Sequence, residues 1–166
     1  MSAVRKTEIR EARPEEFAAL AAVTVAAYKT LDGPVPPEYE KLLADVGTRA
    51  ATCTVFVAIA DREVVGGVTY VADPGSPYAE FDDPAEACFR MLAVAPAGRA
   101  GGVGEALVQA CIAEARVDGK ARLTLFTTPW MPAAHRLYSR LGFTRTPERD
   151  WSPEPDVSLL GYVKDL

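Results

Sequence analysis

Val94-Ala95-Pro96-Ala97-Gly98-Arg99-Ala100-Gly101-Gly102-Val103-Gly104 is the stretch on which the reading of this chain turns. It follows an apolar run, Ala87 to Val94, and leads into Val103, Ala106, Leu107, Ala110 and Cys111, spaced at offsets 0, 3, 4, 7 and 8. The first pattern predicts a strand and the second predicts one face of a helix, so the quoted residues form a strand-to-helix turn. Backbone N–H groups at a helix start lack intrahelical partners and sit at the positive end of the helix dipole, which together favour an anion. Glycines at 101, 102 and 104 let a ligand approach the backbone, and Arg99 adds a positive charge. A plain glycine-rich turn has the same composition, so the spacing has to discriminate. A nucleotide P-loop ends in Gly-Lys-Ser/Thr, whereas Gly104 is followed by Glu105-Ala106. The dinucleotide fingerprint starting at Gly102 needs glycine or alanine at 107, where Leu107 stands, and it belongs after the first strand of its unit. Neither nucleotide pattern fits.

Toward the C-terminus, Asp118-Gly119 stops that helix and Arg122 to Thr127 (RLTLFT) reads as a strand. A last helix opens at Pro132, presents Ala134, Leu137, Tyr138 and Leu141 on one face, and ends at Gly142. Phe143 to Arg145 and Val157 to Val163 then close the sheet. Toward the N-terminus, Ala72 to Ala87 is punctuated by three prolines and carries Asp73, Glu80, Asp82, Asp83 and Glu86, so it is expected to be a solvated surface loop. Before it, Cys53 to Ala60 and Val64 to Val71 are rich in β-branched residues and joined by Asp61-Arg62-Glu63, which predicts a hairpin. A first helix starts at Pro14-Glu15-Glu16, shows Phe17, Leu20, Ala21, Thr24, Val25 and Tyr28 on one face, and ends before Asp32-Gly33-Pro34. A second is expected from Glu38 to Arg49, beyond a proline-stiffened loop, Leu31 to Pro37, suited to walling a pocket. A short strand near Thr7 to Arg10 opens the chain. The order predicts an α/β layered domain with a mixed central sheet of about six to seven strands flanked by about four helices.

The chain has 166 residues, which predicts a single domain over 1–166. Its 18 basic against 23 acidic side chains leave a net charge of −5, which argues against a nucleic-acid surface and suits a cationic substrate. No apolar run approaches the roughly 18 residues of a membrane helix, and the start lacks an apolar signal core, so a cytoplasmic protein is expected. Cys53, Cys88 and Cys111 are far apart and each lies in apolar sequence, as reduced core thiols would. With one histidine, His135, and no CxxC pair, no metal site is expected.

The spacing that does fit is Arg99-x-x-Gly102-x-Gly104, and with it the sequence resembles the GNAT superfamily of acyl-CoA-dependent N-acetyltransferases. Ala134-x-x-Leu137-Tyr138-x-x-x-Gly142-Phe143 is similar to a second segment of that family. The two motifs stand in order at a suitable distance, and the order of elements from Thr7 onward also agrees. The resemblance implies a GNAT-like fold with acetyl-CoA as cosubstrate. It implies that the backbone amides of Arg99, Ala100, Gly101, Gly102, Val103 and Gly104 hold the coenzyme pyrophosphate. Met91, Leu92, Ala93 and Val94 would pair with the pantetheine arm beside a bulge that splays two strands, and an amide near Leu92 would polarise the thioester carbonyl. Where the family often carries asparagine seven residues before the tyrosine, this chain has Met131. That coenzyme or helix-capping contact is then missing or supplied by Thr127 or Thr128.

If the family chemistry applies, an amine attacks acetyl-CoA directly and the departing thiolate takes a proton from Tyr138. A phenol pKa of about 10 lies above the roughly 8.5 of a thiol, so the transfer is downhill. The alternative is a tyrosine that only completes an apolar face. The amine must lose a proton to a base or a water relay. Glu86, on the strand face shared with Cys88 and Arg90, is the candidate base; otherwise it is a solvated carboxylate. His135 is expected at an exposed polar position, Trp130 and Trp151 over a sheet edge, and Cys88 as a small buried side chain. The partner expected is a small-molecule cationic amine, with a homodimer allowed and neither nucleic acid nor membrane. Acetylation of a protein N-terminus or lysine, or a non-catalytic acyl-CoA sensor, are the competing readings.

Overall fold

Short-range rules account for most of the elements. The structure is a computed structural model and describes residues 6–31 and 33–166; the helix stop read at Asp32 lies outside the described residues. The elements are β1 (Glu8–Glu11), α1 (Phe17–Lys29), α2 (Pro37–Ala44), α3 (Val46–Ala50), β2 (Thr54–Ala60), β3 (Glu63–Val71) and β4 (Glu86–Val94). They continue with α4 (Val103–Val117), β5 (Arg122–Thr127), α5 (Pro132–Arg140), β6 (Thr144–Arg145), β7 (Trp151–Glu154) and β8 (Val157–Asp165). The α/β class with mixed strand pairing is as expected, with eight strands and five α-helices among the described residues.

Both counts exceed the expectation, for local reasons. The helix expected from Glu38 to Arg49 is two helices, because Asp45 leaves helical geometry at φ −87° and ψ 69°. Its carboxylate accepts from the Thr48 amide at 3.2 Å and from the Thr48 hydroxyl at 2.7 Å, capping α3 at the cost of continuing α2. The extra strand is β7, Trp-Ser-Pro-Glu, whose four residues are all exposed and lack any alternation that a sequence pattern could register. It exists because β8 offers a partner edge, with Trp151 opposite Leu159 and Glu154 opposite Val157.

By packing, the chain forms two units. One comprises the residues up to Tyr70 together with Met91–Cys111, the other Val71–Arg90 together with Ile112–Leu166. In the first, β1 and β3 flank β2 in antiparallel register, Ile9 opposite Ala58 and Phe56 opposite Val68. The β2–β3 turn puts Asp61 at φ 50° and Arg62 at φ 65°, the two-residue primed geometry that matches strand twist. Leu20, Val46, Val55 and Val57 form the buried cluster beneath α1 and α3, with Phe17, Ile59 and Val64 against it. Thr24 is also buried there, and its hydroxyl is satisfied by donating to the Leu20 carbonyl at 2.7 Å.

In the second unit β4 and β5 run parallel, but only from Glu86–Arg122 to Cys88–Thr124. β8 lies antiparallel to β5 over six positions and carries β6 and β7. α4 ends at Gly119 with φ 71° and α5 at Gly142 with φ 90°, each in the left-handed region that glycine enters freely. Among the described residues no helix is long and apolar enough to cross a membrane.

Candidate functional site

The strand-to-helix turn takes the expected form. After Val94 the chain makes a 3₁₀ turn over Pro96–Gly101, then Gly102 adopts φ 71° and ψ 21°, and α4 begins at Val103. That left-handed residue redirects the chain so that α4 starts immediately, and a Cβ at 102 would be strained there. A side chain at Gly101 or Gly102 would meet nothing within 4 Å, so the backbone at this helix start faces open space. The side chain of Ala100 lies outside what the structure describes.

A glycine that the sequence reading placed only in a strand positions this turn. A Cβ on Gly66 of β3 would lie 2.8 Å from the Ala93 carbonyl oxygen, 3.1 Å from Val103 Cγ1 and 3.3 Å from Leu107 Cδ1. Its absence lets the first turn of α4 and the end of β4 sit directly on β3. There the Ala95 amide donates to the Val65 carbonyl at 2.8 Å. Arg99 is exposed and donates through Nη2 to the Thr30 hydroxyl at 3.2 Å, tying the turn to the end of α1. Between α1 (Ala22, Ala26) and the turn (Ala95, Pro96, Arg99) lies an open apolar cavity of about 270 Å³.

Upstream, Met91 has φ 57°, a left-handed residue in the interior of β4. For a residue with a side chain this costs about 1–3 kcal/mol and marks functional segments more often than scaffolding. It is followed by Leu92 and Val94, half-buried, and Ala93, buried. The β4–β5 ladder has already ended at Cys88, so the left-handed residue and the end of pairing with β5 coincide within three residues.

In the second unit Tyr138 of α5 is 5% exposed. Its ring packs edge-on against Phe89 at 5.8 Å and Phe143 at 6.0 Å, and tilted against Tyr162 at 6.0 Å. His135, expected to be exposed, is half-buried instead. Its Nε2 lies 2.9 Å from the Thr128 carbonyl and its ring stacks on Tyr162, contacts made by residues distant in sequence. Neither threonine caps α5: the Met131 N-cap has no side-chain hydrogen bond, and the Thr127 hydroxyl donates to the Met131 sulfur at 3.4 Å. Trp151 is 46% exposed with its ring edge-on to Phe126, while Cys88 and Cys111 are buried and Cys53 half-buried.

The acidic segment differs most from expectation. Asp73, Asp82 and Asp83 are exposed as a solvated loop requires, but Tyr78 and Phe81 insert into the core and carry Glu80 inward. Glu86 is 3% exposed rather than solvated. Its carboxylate accepts from Arg149 Nη1 at 3.0 Å, Arg149 Nη2 at 2.8 Å and Arg122 Nε at 2.7 Å. These hydrogen bonds, Arg149's foremost, hold its pKa below the ordinary carboxylate value. Glu86, the candidate base, is thus an ion-paired carboxylate whose anionic form is favoured. Glu80 is the contrast: burial raises its pKa, and Arg90, 3.4 Å away through Nε, only partly offsets this. The spacing of Tyr78 and Phe81 around Glu80 is the signal from which its burial could have been read. No group of three or more His, Cys, Asp or Glu side chains is placed to hold a metal ion among the described residues.

The structure thus brings Leu92 through Gly104 together in one unit, and groups Tyr138 with Phe89 and Glu86 with Arg122 and Arg149 in the other. None of the curated proteins matches the sequence. Solved structures do, through their fold. A GNAT-family acetyltransferase from Staphylococcus aureus Mu50 superposes with a TM-score of 0.79 at 17% identity, covering 97% of this chain and 99% of that one. A ribosomal-protein-alanine N-acetyltransferase from Brucella melitensis gives 0.69 at 24% identity, covering 96% and 99%. The yncA protein of Salmonella typhimurium, solved with its cofactor acetyl-CoA, gives 0.67 at 23% identity, covering 96% and 94%. Residues 15–143 match the profile of the Acetyltransferase (GNAT) family, and the chain belongs to that family.

Proposed function

We propose that the protein transfers the acetyl group of acetyl-CoA, the cosubstrate of its family, to a primary amine on a small cationic molecule, by direct attack in a ternary complex. The observation that carries this reading is the open backbone of Gly101 and Gly102 at the start of α4, behind a left-handed Met91. An extended anion fits such a cradle: the amides of Arg99 through Gly104 bind its pyrophosphate, assisted by the helix dipole. Backbone groups of Met91 to Val94 pair with the pantetheine arm, and the Leu92 amide polarises the thioester carbonyl. Acetyl-CoA supplies the activated acyl group. Tyr138 donates its phenolic proton to the departing sulfur, the downhill direction for these two acids. Glu86 in this reading fastens β4 to Arg122 and Arg149, and the amine's proton leaves by another carboxylate or by water.

Solved neighbours that span nearly the whole of this chain and of their own support one N-acetyltransferase domain over 1–166. A peptide acceptor is the second reading, favoured by the likeness in fold to the Brucella melitensis enzyme. The test is acetyl-CoA binding by calorimetry, followed by spermidine, glucosamine and an alanine-ended peptide added to the same sample while free thiol is monitored. Binding with thiol release on spermidine or glucosamine is the expected result. Release on the peptide alone moves the acceptor to a protein terminus, binding with no release points to a sensor, and no binding overturns the proposal.

A further inference from the structure

A proton donor works only where its hydroxyl is held, since a misplacement of about 1 Å can cost about a hundredfold in rate. The ring of Tyr138 meets Phe89 and Phe143 edge-on and Tyr162 at a tilt of 59°. Tyr162 differs from the two phenylalanines in what holds its own ring. The His135 ring stacks on it with centroids 6.0 Å and planes 29° apart, and Arg145 Cζ lies 5.7 Å from its centroid. Both of these neighbours are themselves fixed. His135 Nε2 lies 2.9 Å from the Thr128 carbonyl, which can only accept, so Nε2 carries the proton and the imidazole cannot turn without breaking that bond. Arg145 donates to the two Asp150 carboxylate oxygens, each at 2.6 Å, and to the Gly161 carbonyl at 3.1 Å. Such a bidentate pair fixes the plane of the guanidinium.

The backbone adds to this. β8 lies between β5 and β6, with Tyr162 opposite Leu125 on one side and Arg145 on the other. Directly opposite residues share a sheet face, which brings the guanidinium over the ring. His135 and Tyr138 stand three apart on α5, the spacing of neighbours on one helix face, so Tyr162 meets that helix at both. Filling the space beside Tyr138 needs only aliphatic side chains. A stacked imidazole and a paired guanidinium on the adjoining ring cost desolvation, and what they add is orientation, because contacts between rings and of cations with rings depend on angle.

We infer that Tyr162, held by His135 and Arg145, is a positioning residue that orients the Tyr138 ring for proton transfer to the departing sulfur; this rests on the acetyl-transfer reading above. His135 and Arg145 act through Tyr162, and Tyr162 through Tyr138.

The test compares wild type with Tyr162→Leu, Tyr162→Phe, His135→Ala and Tyr138→Phe, using acetyl-CoA and whichever probe, spermidine or glucosamine, releases thiol. Tyr162→Leu is expected to lower kcat by about tenfold or more, with KM for the amine and acetyl-CoA affinity unchanged. Tyr162→Phe keeps the ring and should keep most of the rate, and His135→Ala should lower kcat in the same way as Tyr162→Leu but less. Added to Tyr138→Phe, either Tyr162→Leu or His135→Ala should cost nothing further, because the group through which it acts is already gone. His135→Ala removes a half-buried side chain, so it carries the comparison if Tyr162→Leu does not fold. In carbon-13-labelled full chain, His135→Ala should also speed the flipping of the Tyr138 ring, read from its ring-carbon line shapes. Folded Tyr162→Leu and His135→Ala variants that keep wild-type kcat, a loss that multiplies in full with that of Tyr138→Phe, or a Tyr138 ring that flips no faster overturns the inference and leaves the functional reading intact. A wild type that binds no acetyl-CoA or releases thiol with neither probe overturns both, and undiminished turnover in Tyr138→Phe removes the acid and this inference with it.

Discussion

Two glycine substitutions separate the binding role of the turn from its packing role. At Gly101 an added methyl meets nothing within 4 Å, so Gly101→Ala should fold as well as wild type, changing stability by less than about 1 kcal/mol. If a pyrophosphate sits on that backbone, the same methyl holds it away from at least one amide. A charge-assisted hydrogen bond contributes about 1.5–3 kcal/mol, so acetyl-CoA affinity should fall roughly ten- to hundredfold. Gly66→Ala acts oppositely. Its Cβ lies 2.8 Å from a backbone oxygen where ordinary contact begins at 3.4 Å, so the Ala93 carbonyl or the start of α4 must shift by about 0.6 Å. Overpacking of this kind costs about 1–3 kcal/mol, which lowers Tm by about 2–12 °C in a domain of this size. Thermal melting and calorimetric titration with acetyl-CoA read both effects on the same samples. Gly101→Ala binding acetyl-CoA at wild-type strength would refute the placement of the pyrophosphate, and Gly66→Ala melting with wild type would refute the close approach of α4 to β3.

Tyr138→Phe should reduce turnover by about a hundredfold or more while leaving acetyl-CoA affinity unchanged, and undiminished turnover removes Tyr138 as the acid. Glu86→Gln strands Arg149 and Arg122 beside a neutral amide; with both guanidiniums about one-third exposed, a loss of about 2 kcal/mol and 4–8 °C in Tm is expected, with no shift of the acid limb of the pH–rate profile. A shifted limb would return Glu86 to the reaction. Glu16 is lowered to about 2 by hydrogen bonding to Arg10. Its folded pKa lies below the ordinary value of 4.5, so the stability it contributes is complete above that pH and is lost as pH falls toward 2. Glu16→Gln should therefore flatten the acid part of a Tm-against-pH curve between those values, and an unchanged slope would show that the pair does not stabilise the fold.

The fold class, the loop and the helix bearing Tyr138 were legible in the sequence because each depends on residues close together in it. The glycines at 101, 102 and 104 mark the turn before α4, Pro132 opens a helix and Gly142 closes one, and runs rich in β-branched residues mark β2 and β3. These are restrictions on a few consecutive φ and ψ angles, and composition reports them directly. The left-handed Met91 has no such signature, since methionine is not selected for that conformation, and β7 has none because only β8 makes it a strand.

Charge states lie further from the sequence. Glu86 and Glu80 are six residues apart in one acidic loop and look alike as letters, yet one is a stabilised anion and the other a strained one. The difference comes from Arg122 and Arg149, 36 and 63 residues along the chain from Glu86, and from the burial of Tyr78 and Phe81 on either side of Glu80. In the same way Gly66 reads as an ordinary strand residue until Ala93, Val103 and Leu107 are folded against it. Where backbone geometry follows from a few consecutive residues the sequence determined it; desolvation, strand pairing and ion pairing are sums over neighbours that only tertiary packing brings within reach.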